Sequence, residues 1–338
     1  MTGSPYKTAQ AHKINKLEWY MLLIIPRLHK LVGTIPFRIA RLAVLAIPGL
    51  MISSVSKADI EPRSYSNIPT GLNFLLAGYS YMKGNVAFAP TIPINNAKLE
   101  TNSAFLAYVR SLDLWGKSGK VDIIFPEAWL SGQAEVSGQQ KNRDVVGFAD
   151  PMVRLYVNLF GAPAMSMKEF ANYKQDTIFG VSIAVTAPGG QYDPNKLVNI
   201  GTNRWSFKPE IGVSKAWGAL TVEGAAGVYV FTDNNQPFQG HTFGQTPIYN
   251  LQGHLIYNFT PGIWGALDAN YYAGGSTSTD NKMADNTQEN WRLGGTLAFP
   301  VTRQHSIKLY GNTGVYSRTG TNYDIVGVAW QYRWGEGL

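Results

Sequence analysis

Residues Trp205 to Ser214 read Trp-Ser-Phe-Lys-Pro-Glu-Ile-Gly-Val-Ser, and the fold turns on this stretch. Trp205, Phe207, Pro209, Ile211 and Val213 fall on one side of an extended chain. Ser206, Lys208, Glu210, Gly212 and Ser214 fall on the other, because successive side chains of a strand point to opposite faces. The same alternation recurs downstream. Tyr249, Leu251, Leu255, Tyr257 and Phe259 oppose Asn250, Gln252, His254 and Asn258, and at the end of the chain Val326, Val328, Trp330, Tyr332 and Trp334 oppose Gly327, Ala329, Gln331 and Arg333.

Working outward from these segments gives twelve strands, near 72–83, 103–114, 120–134, 148–160, 176–187, 204–217, 218–231, 247–259, 262–274, 289–300, 304–315 and 323–334. Most are longer than the ~5 to 6 residues of an ordinary soluble strand and long enough to cross a bilayer when tilted. Connections after even-numbered strands are mostly short, as at Trp115–Gly119, Trp217, Thr260-Pro261 and Val301–Arg303. Those after odd-numbered strands are long and polar: 84–102, 135–147, 188–203, 232–246 and 275–288. Such sorting marks an outer-membrane barrel, with short periplasmic turns and long external loops. Two connections break the rule: 161–175 is long, with Met165 to Gln175 reading as a short helix, and 316–322 is short. Before residue 135 the alternation is poor and leaves the inward face open. Trp115, Trp205, Trp217, Trp264, Trp291 and Trp334 lie near strand ends, where amphipathic rings suit the headgroup region. The fold expected is therefore all-β, a transmembrane antiparallel up-and-down β-barrel of about 12 strands.

Charge divides the chain into two parts. The 338 residues carry a formal charge of +7. Met1 to Ala58 hold eight Lys or Arg and one acid, Glu18, so this leader contains the whole excess; from Asp59 onward there are 21 bases and 21 acids. In the leader, Arg38 and Arg41 precede the apolar run Leu42–Ile52, and small residues stand at Ser56 and Ala58, as at a signal-peptidase site. A buried N-terminal helix is the alternative. The domains expected are a signal segment over 1–58 and the barrel over 59–338. A neutral mature chain removes the case for nucleic acid. No cysteine is present, which excludes disulfides, Cys-ligated metal and cysteine nucleophiles.

The chain also resembles a known family. Arg63-Ser-Tyr-Ser-Asn-Ile-Pro-Thr-Gly-Leu-Asn-Phe74, Gly161-Ala-Pro-Ala164, Glu169-Phe-Ala-Asn-Tyr173, Ala187-Pro-Gly-Gly-Gln-Tyr-Asp-Pro194, Leu197-Val-Asn199 and Gly201-Thr-Asn-Arg-Trp-Ser-Phe-Lys-Pro-Glu-Ile-Gly212 are similar to the MetA-pathway of phenol degradation family of outer-membrane transporters. The resemblance implies a barrel in the outer membrane of a Gram-negative bacterium and an uptake role for aromatic and other hydrophobic compounds. Its partners are then outer-membrane lipid and a small solute.

The polar strand faces supply the residues expected to line the lumen: Arg154, Tyr156, Lys208, Glu210, Glu223, Tyr229, Gln252, His254, Asp268, Arg292, Lys308, Tyr310 and Arg333. Mixed charges with interspersed aromatics would discriminate weakly by charge and offer planar solutes a stacking surface. The same charges could instead pair and fill the barrel. Tyr192, Asp193, Pro194, Asn199, Asn203, Arg204 and Trp205 form a loop motif read either as an oxygen cluster or pore constriction, or as ordinary turn chemistry. Lys208 and Glu210, on either side of Pro209, are read either as part of a binding site or as an internal ion-pair network tying loop to wall. No hydrolase elbow, zinc pair or phosphate loop occurs, so no catalytic residue, metal or cofactor is assigned. Only about a dozen residues separate Ala58 from the first strand near Leu72, too few for a separate plug domain. The leading expectation is passive or gated uptake of small hydrophobic or aromatic compounds. Alternatives are a closed structural or adhesive barrel acting through its external loops, and an outer-membrane hydrolase.

Overall fold

The computed structural model describes residues 61–85, 94–136, 139–196, 198–236, 242–318, 322–335 and 337–338. The expected signal segment, 1–58, lies outside them.

The wall begins with β1 (Leu72–Asn85), β2 (Ile94–Leu114) and β3 (Lys117–Val136). The fourth strand, β4, comprises two collinear runs, Gln139–Phe148 and Met152–Phe160. There follow β5 (Thr177–Thr186), β6 (Ser206–Trp217), β7 (Leu220–Phe231), β8 (Ile248–Thr260), β9 (Ile263–Gly274), β10 (Gln288–Pro300), β11 (His305–Ser317) and β12 (Asn322–Gly335). Each strand pairs antiparallel with its sequence neighbour, and β1 pairs with β12 from Leu72↔Gly335 to Asn85↔Asn322. The sheet closes on itself as a twelve-stranded barrel, so no edge is left for the bilayer to strip of hydrogen bonds.

Two-residue turns set the register at one end. Trp115 and Gly116 both have positive φ, at 56° and 78°, as the tight hairpin between Leu114 and its partner Lys117 requires. Gly218 serves the hairpin closed by Trp217↔Leu220, and Pro261-Gly262 the one closed by Thr260↔Ile263. This is the turn end; the opposite rim, with the longer connections, is the loop end.

Three expectations about connections are corrected. The long loop expected at 135–147 is instead a hairpin extension, since β3 runs to Val136 and β4 resumes at Gln139. Similarly, β2 begins at Ile94, inside the loop expected over 84–102. Polar residues misled because strands that project beyond the membrane have water on both faces and lose their alternation. The helix expected over Met165–Gln175 is the single turn α1 (Met167–Phe170), closed by a capping box between Ser166 and Glu169.

The break in β4 has a use. Ala149 to Pro151 interrupt the ladder opposite Pro126, whose carbonyl accepts from Ala149 N at 2.8 Å. The bulge presents Asp150, and its carboxylate accepts from Gly190 N at 2.9 Å, Thr202 N at 2.8 Å and Thr202 Oγ1 at 2.6 Å. One buried acid thus pins the 187–205 loop to the wall.

Inside and outside faces separate cleanly in the second half. Leu251, Leu255, Tyr257 and Leu267 are exposed to lipid, while Asn250, Gln252, His254 and Asp268 are buried. In β1 to β3 the pattern fades because the inner face is itself apolar: Leu72, Phe74, Leu76, Ala107, Val109 and Ile124 form one buried cluster.

Candidate functional site

Residues 61 to 69 are all buried, although no strand contains them. This segment enters the barrel from the turn end. Its neck is held by Thr70 N donating to Met165 O at 2.8 Å, and Gly71 N donating to Ser111 O at 3.3 Å. Asn67 Nδ2 reaches Pro163 O at 3.3 Å, so the long 161–176 connection acts as a collar under the entrance.

From the neck inward, each residue finds a partner on a different strand. Tyr65 is fully buried and lies over the cross-strand pair Gly180↔Gly212 of β5 and β6, where an added Cβ would run into its ring. Its hydroxyl donates to Glu210 Oε1 at 2.9 Å. Ser64 N donates to Glu223 Oε1 at 2.8 Å, and Lys120 Nζ donates to Ser64 O at 2.7 Å. Arg63 bonds Asn258 and lies 4.6 Å over the Trp264 ring. Glu61, the first described residue, pairs with Arg154 and accepts from Tyr156 Oη at 3.0 Å. Arg154 Nε also donates to Asp122 at 3.0 Å.

Around the segment runs a polar belt. Lys208 Nζ lies 2.9 Å from Glu210 Oε2, which also accepts from Gln252 Nε2 at 3.1 Å. His254 Nδ1 is 2.7 Å from Asp268, whose other oxygen accepts from Thr296 Oγ1 at 2.9 Å. A buried charge costs several kcal/mol unless partnered, and these groups are paired in that way.

Toward the loop end the lumen turns aromatic. Tyr229, Ile248, Tyr272, Tyr323 and Ile325 form a buried cluster, with Met82 and Phe231 against it. Arg292 lies 3.6 Å over the Tyr323 ring and donates to Tyr323 O at 2.8 Å. Above this layer sit the external loops and a small sheet of Phe243–Gln245, Thr277–Thr279 and Lys282–Met283.

Of the residues expected to line the lumen, Arg154, Tyr156, Lys208, Glu210, Glu223, Tyr229, Gln252, His254, Asp268, Arg292 and Lys308 are buried on the inner face. Tyr310 and Arg333 are half-buried on it. The loop motif divides. Asp193 N donates to Asn199 Oδ1, and Asn199 Nδ2 to Asp193 O, each at 3.0 Å, closing a turn within the loop. Tyr192 and Asn203 both bond Asn234 of the neighbouring loop, while Pro194 is exposed. Arg204 turns inward and Trp205 outward, at 44% exposure, so the two act on opposite sides of the wall. Trp264, expected at the headgroup region, is buried inside instead. Its even parity with Asp268 and Asn270 carries that information.

In the sequence, Arg63–Phe74 carries only the family resemblance; nothing there places Glu61–Pro69 in the lumen or singles out Lys120, which holds Ser64 O, and Asp122, which holds Arg154. Lys120 and Asp122 stand two apart, the spacing that singled out Lys208 and Glu210, and could have been found that way.

A family model described as "Putative MetA-pathway of phenol degradation" matches residues 83–330. The crystal structure of an outer-membrane channel from Pseudomonas putida F1 superposes with a TM-score of 0.70 at 17% identity, covering 82% of this chain and 100% of that one. The beta domain of the Bordetella autotransporter Brka gives 0.48 at 8% identity, over 78% and 99%. No curated protein matches the chain. The fold is thus that of an outer-membrane barrel.

Proposed function

The chain belongs to the MetA-pathway of phenol degradation family, and from that premise we propose that it is an outer-membrane channel for small hydrophobic or aromatic compounds, gated by its own N-terminal segment. The carrying observation is that the lumen-facing side holds apolar clusters at both ends. Leu72, Phe74, Leu76, Ala107, Val109 and Ile124 lie at the turn end, and Tyr229, Ile248, Tyr272, Tyr323 and Ile325 at the loop end. A water-filled porin lines its lumen with polar groups. Here a solute of low polarity would find apolar surface before and after the polar belt, and burial of apolar area favours its residence there.

In this reading the segment Glu61–Pro69 is the barrier between the two clusters. It is held by hydrogen bonds and ion pairs, which can be exchanged for water, and it crosses no strand of the wall. The aromatic solute class follows from the family and from the ring-lined loop end. Passage is down a gradient, and the solute needs no energy-coupling domain.

A second reading, a closed barrel that acts through its loops, draws support from the pairing of Glu61, Asp122, Arg154, Lys208, Glu210, His254 and Asp268. Solute flux separates the two. Purified full-length protein in liposomes should pass a small aromatic such as toluene faster than protein-free vesicles, and a variant lacking residues 61–66 should pass it faster still. No flux from either protein would overturn the channel reading and leave the closed barrel.

A further inference from the structure

Arg204 is placed with unusual care for a loop residue. Asn203 adopts φ 52°, which turns the chain so that Arg204 enters the barrel while Trp205 leaves it. Its guanidinium stands 4.4 Å over the Phe231 ring and 5.3 Å from that of Phe243. It donates to Gln245 Oε1 at 2.6 Å and to no other side chain among the described residues; Nη1 is buried without a hydrogen-bond partner. An orphan donor on a buried cation is costly, so native structures rarely keep one without a reason. Two acids act on it electrostatically, Asp233 and Asp150; neither is hydrogen-bonded to it among the described residues, and Asp150 already accepts three hydrogen bonds from Gly190 and Thr202.

Below Arg204 the rings continue in register. Phe231 lies parallel to Tyr229, with 3° between planes and 6.4 Å between centroids, and Lys208 Nζ sits 5.1 Å over Tyr229. Cation, ring, ring and cation thus follow one another along the inner face of β6 and β7, from the loops to the polar belt. Tyr272 and Ile248 face this ladder in the same cluster.

We propose that Arg204 and this ring ladder form a recognition site for a planar aromatic carboxylate, with the carboxylate on Arg204 Nη1 and the ring along Phe231 and Tyr229. A guanidinium is the donor best matched to a carboxylate, and a charge-assisted bond is worth more where water is excluded. The flat rings supply the area that a planar solute covers. Nη1 is closed off from solvent, so the strand Phe243–Gln245 shifts to admit the anion, and Gln245 is the group that must let go. The site rests on the channel reading above and sharpens its substrate class from aromatic to aromatic and anionic.

The test is calorimetric titration of benzoate, phenol and toluene into the full-length protein in nanodiscs near neutral pH, where only benzoate is charged. Benzoate is expected to bind roughly tenfold or more tightly than toluene, the scale of one charge-assisted hydrogen bond. Arg204→Gln should abolish that preference and leave toluene unchanged, and Arg204→Lys should restore part of it. Heat-modified gel mobility confirms that each variant is a folded barrel; if Arg204→Gln does not fold, Arg204→Lys alone decides, by a weakened preference. Equal binding of benzoate and toluene, preference for phenol over benzoate, or a preference that survives the loss of Arg204 would each overturn the proposal while leaving an aromatic channel in place. Failure of all three compounds to bind wild-type protein would also overturn the proposal, and the liposome flux then decides separately whether the channel reading stands.

Discussion

Tyr65 shows how a residue with no readable pattern comes to hold a segment in place. It belongs to no strand, and its neighbours Ser64, Ser66 and Asn67 carry no period. Its site is made elsewhere, by two glycines 32 residues apart in sequence that β5 and β6 bring side by side. Those glycines lie in alternating strands and read only as weak strand formers. Their meaning is the missing Cβ, which leaves a hollow the size of a phenol ring. Gly212→Ala is expected to force the ring out or strain the wall, at the ~1–3 kcal/mol typical of an added methyl in a packed core. Urea unfolding of the purified barrel measures this, and an unchanged midpoint would show that Tyr65 does not depend on the hollow. Trp264 teaches the opposite lesson: its inward face was legible in its parity with Asp268, and its nearness to a strand end concealed that.

Among the elements, strands were legible where one face meets lipid and the other meets polar lumen, as in β6, β8 and β12. They were obscure in β1 to β3, where an apolar lumenal cluster makes both faces alike, and in the first run of β4, which projects past the membrane. The collar 161–176 is different again. Ser166-x-x-Glu169 is a capping box that sequence can show, yet it starts only one turn of helix. Glu169 is exposed, and its carboxyl is held below the ordinary 4.5 by hydrogen bonds from the Ser166 hydroxyl and backbone N–H. A carboxyl whose folded value is depressed contributes stability above its unfolded value and loses it as pH falls through the folded one. Amide-exchange protection at Ser166 should therefore hold at neutral pH and decline as the solution is acidified below that range. Glu169→Gln, which keeps the bond without the charge, should flatten the dependence; a decline of equal size in that variant would assign it to another group.

At the scale of the whole molecule, Arg154 joins what the strands by themselves do not. Its guanidinium bridges Asp122 on β3 and Glu61 of the entering segment, and all three are buried. Arg154→Met should leave two carboxylates without their cation, at the 3–5 kcal/mol usual for breaking a buried pair. The same segment is held at Tyr65, so Arg154→Met and Gly212→Ala are expected to be non-additive, as substitutions sharing one partner are. A double-mutant cycle in urea that gave simple addition would mean that the two contacts hold the segment independently.

The sequence by itself determined the barrel. Alternating faces, strand lengths fit for a bilayer and loops sorted by side are each set by local chemistry against two solvents, and twelve strands with no free edge follow from them. It also placed the buried charges of the second half by parity alone. What it did not contain was the occupation of the lumen. Whether Glu61–Pro69 hangs below the barrel or fills it depends on partners drawn from β3, β4, β6, β7 and β8, and none of them is near it in sequence. The orphan donor of Arg204 is of the same kind, since the rings that flank it come from β7 and from a separate loop. Contacts between distant segments carry no local period, so only the closed fold could decide them.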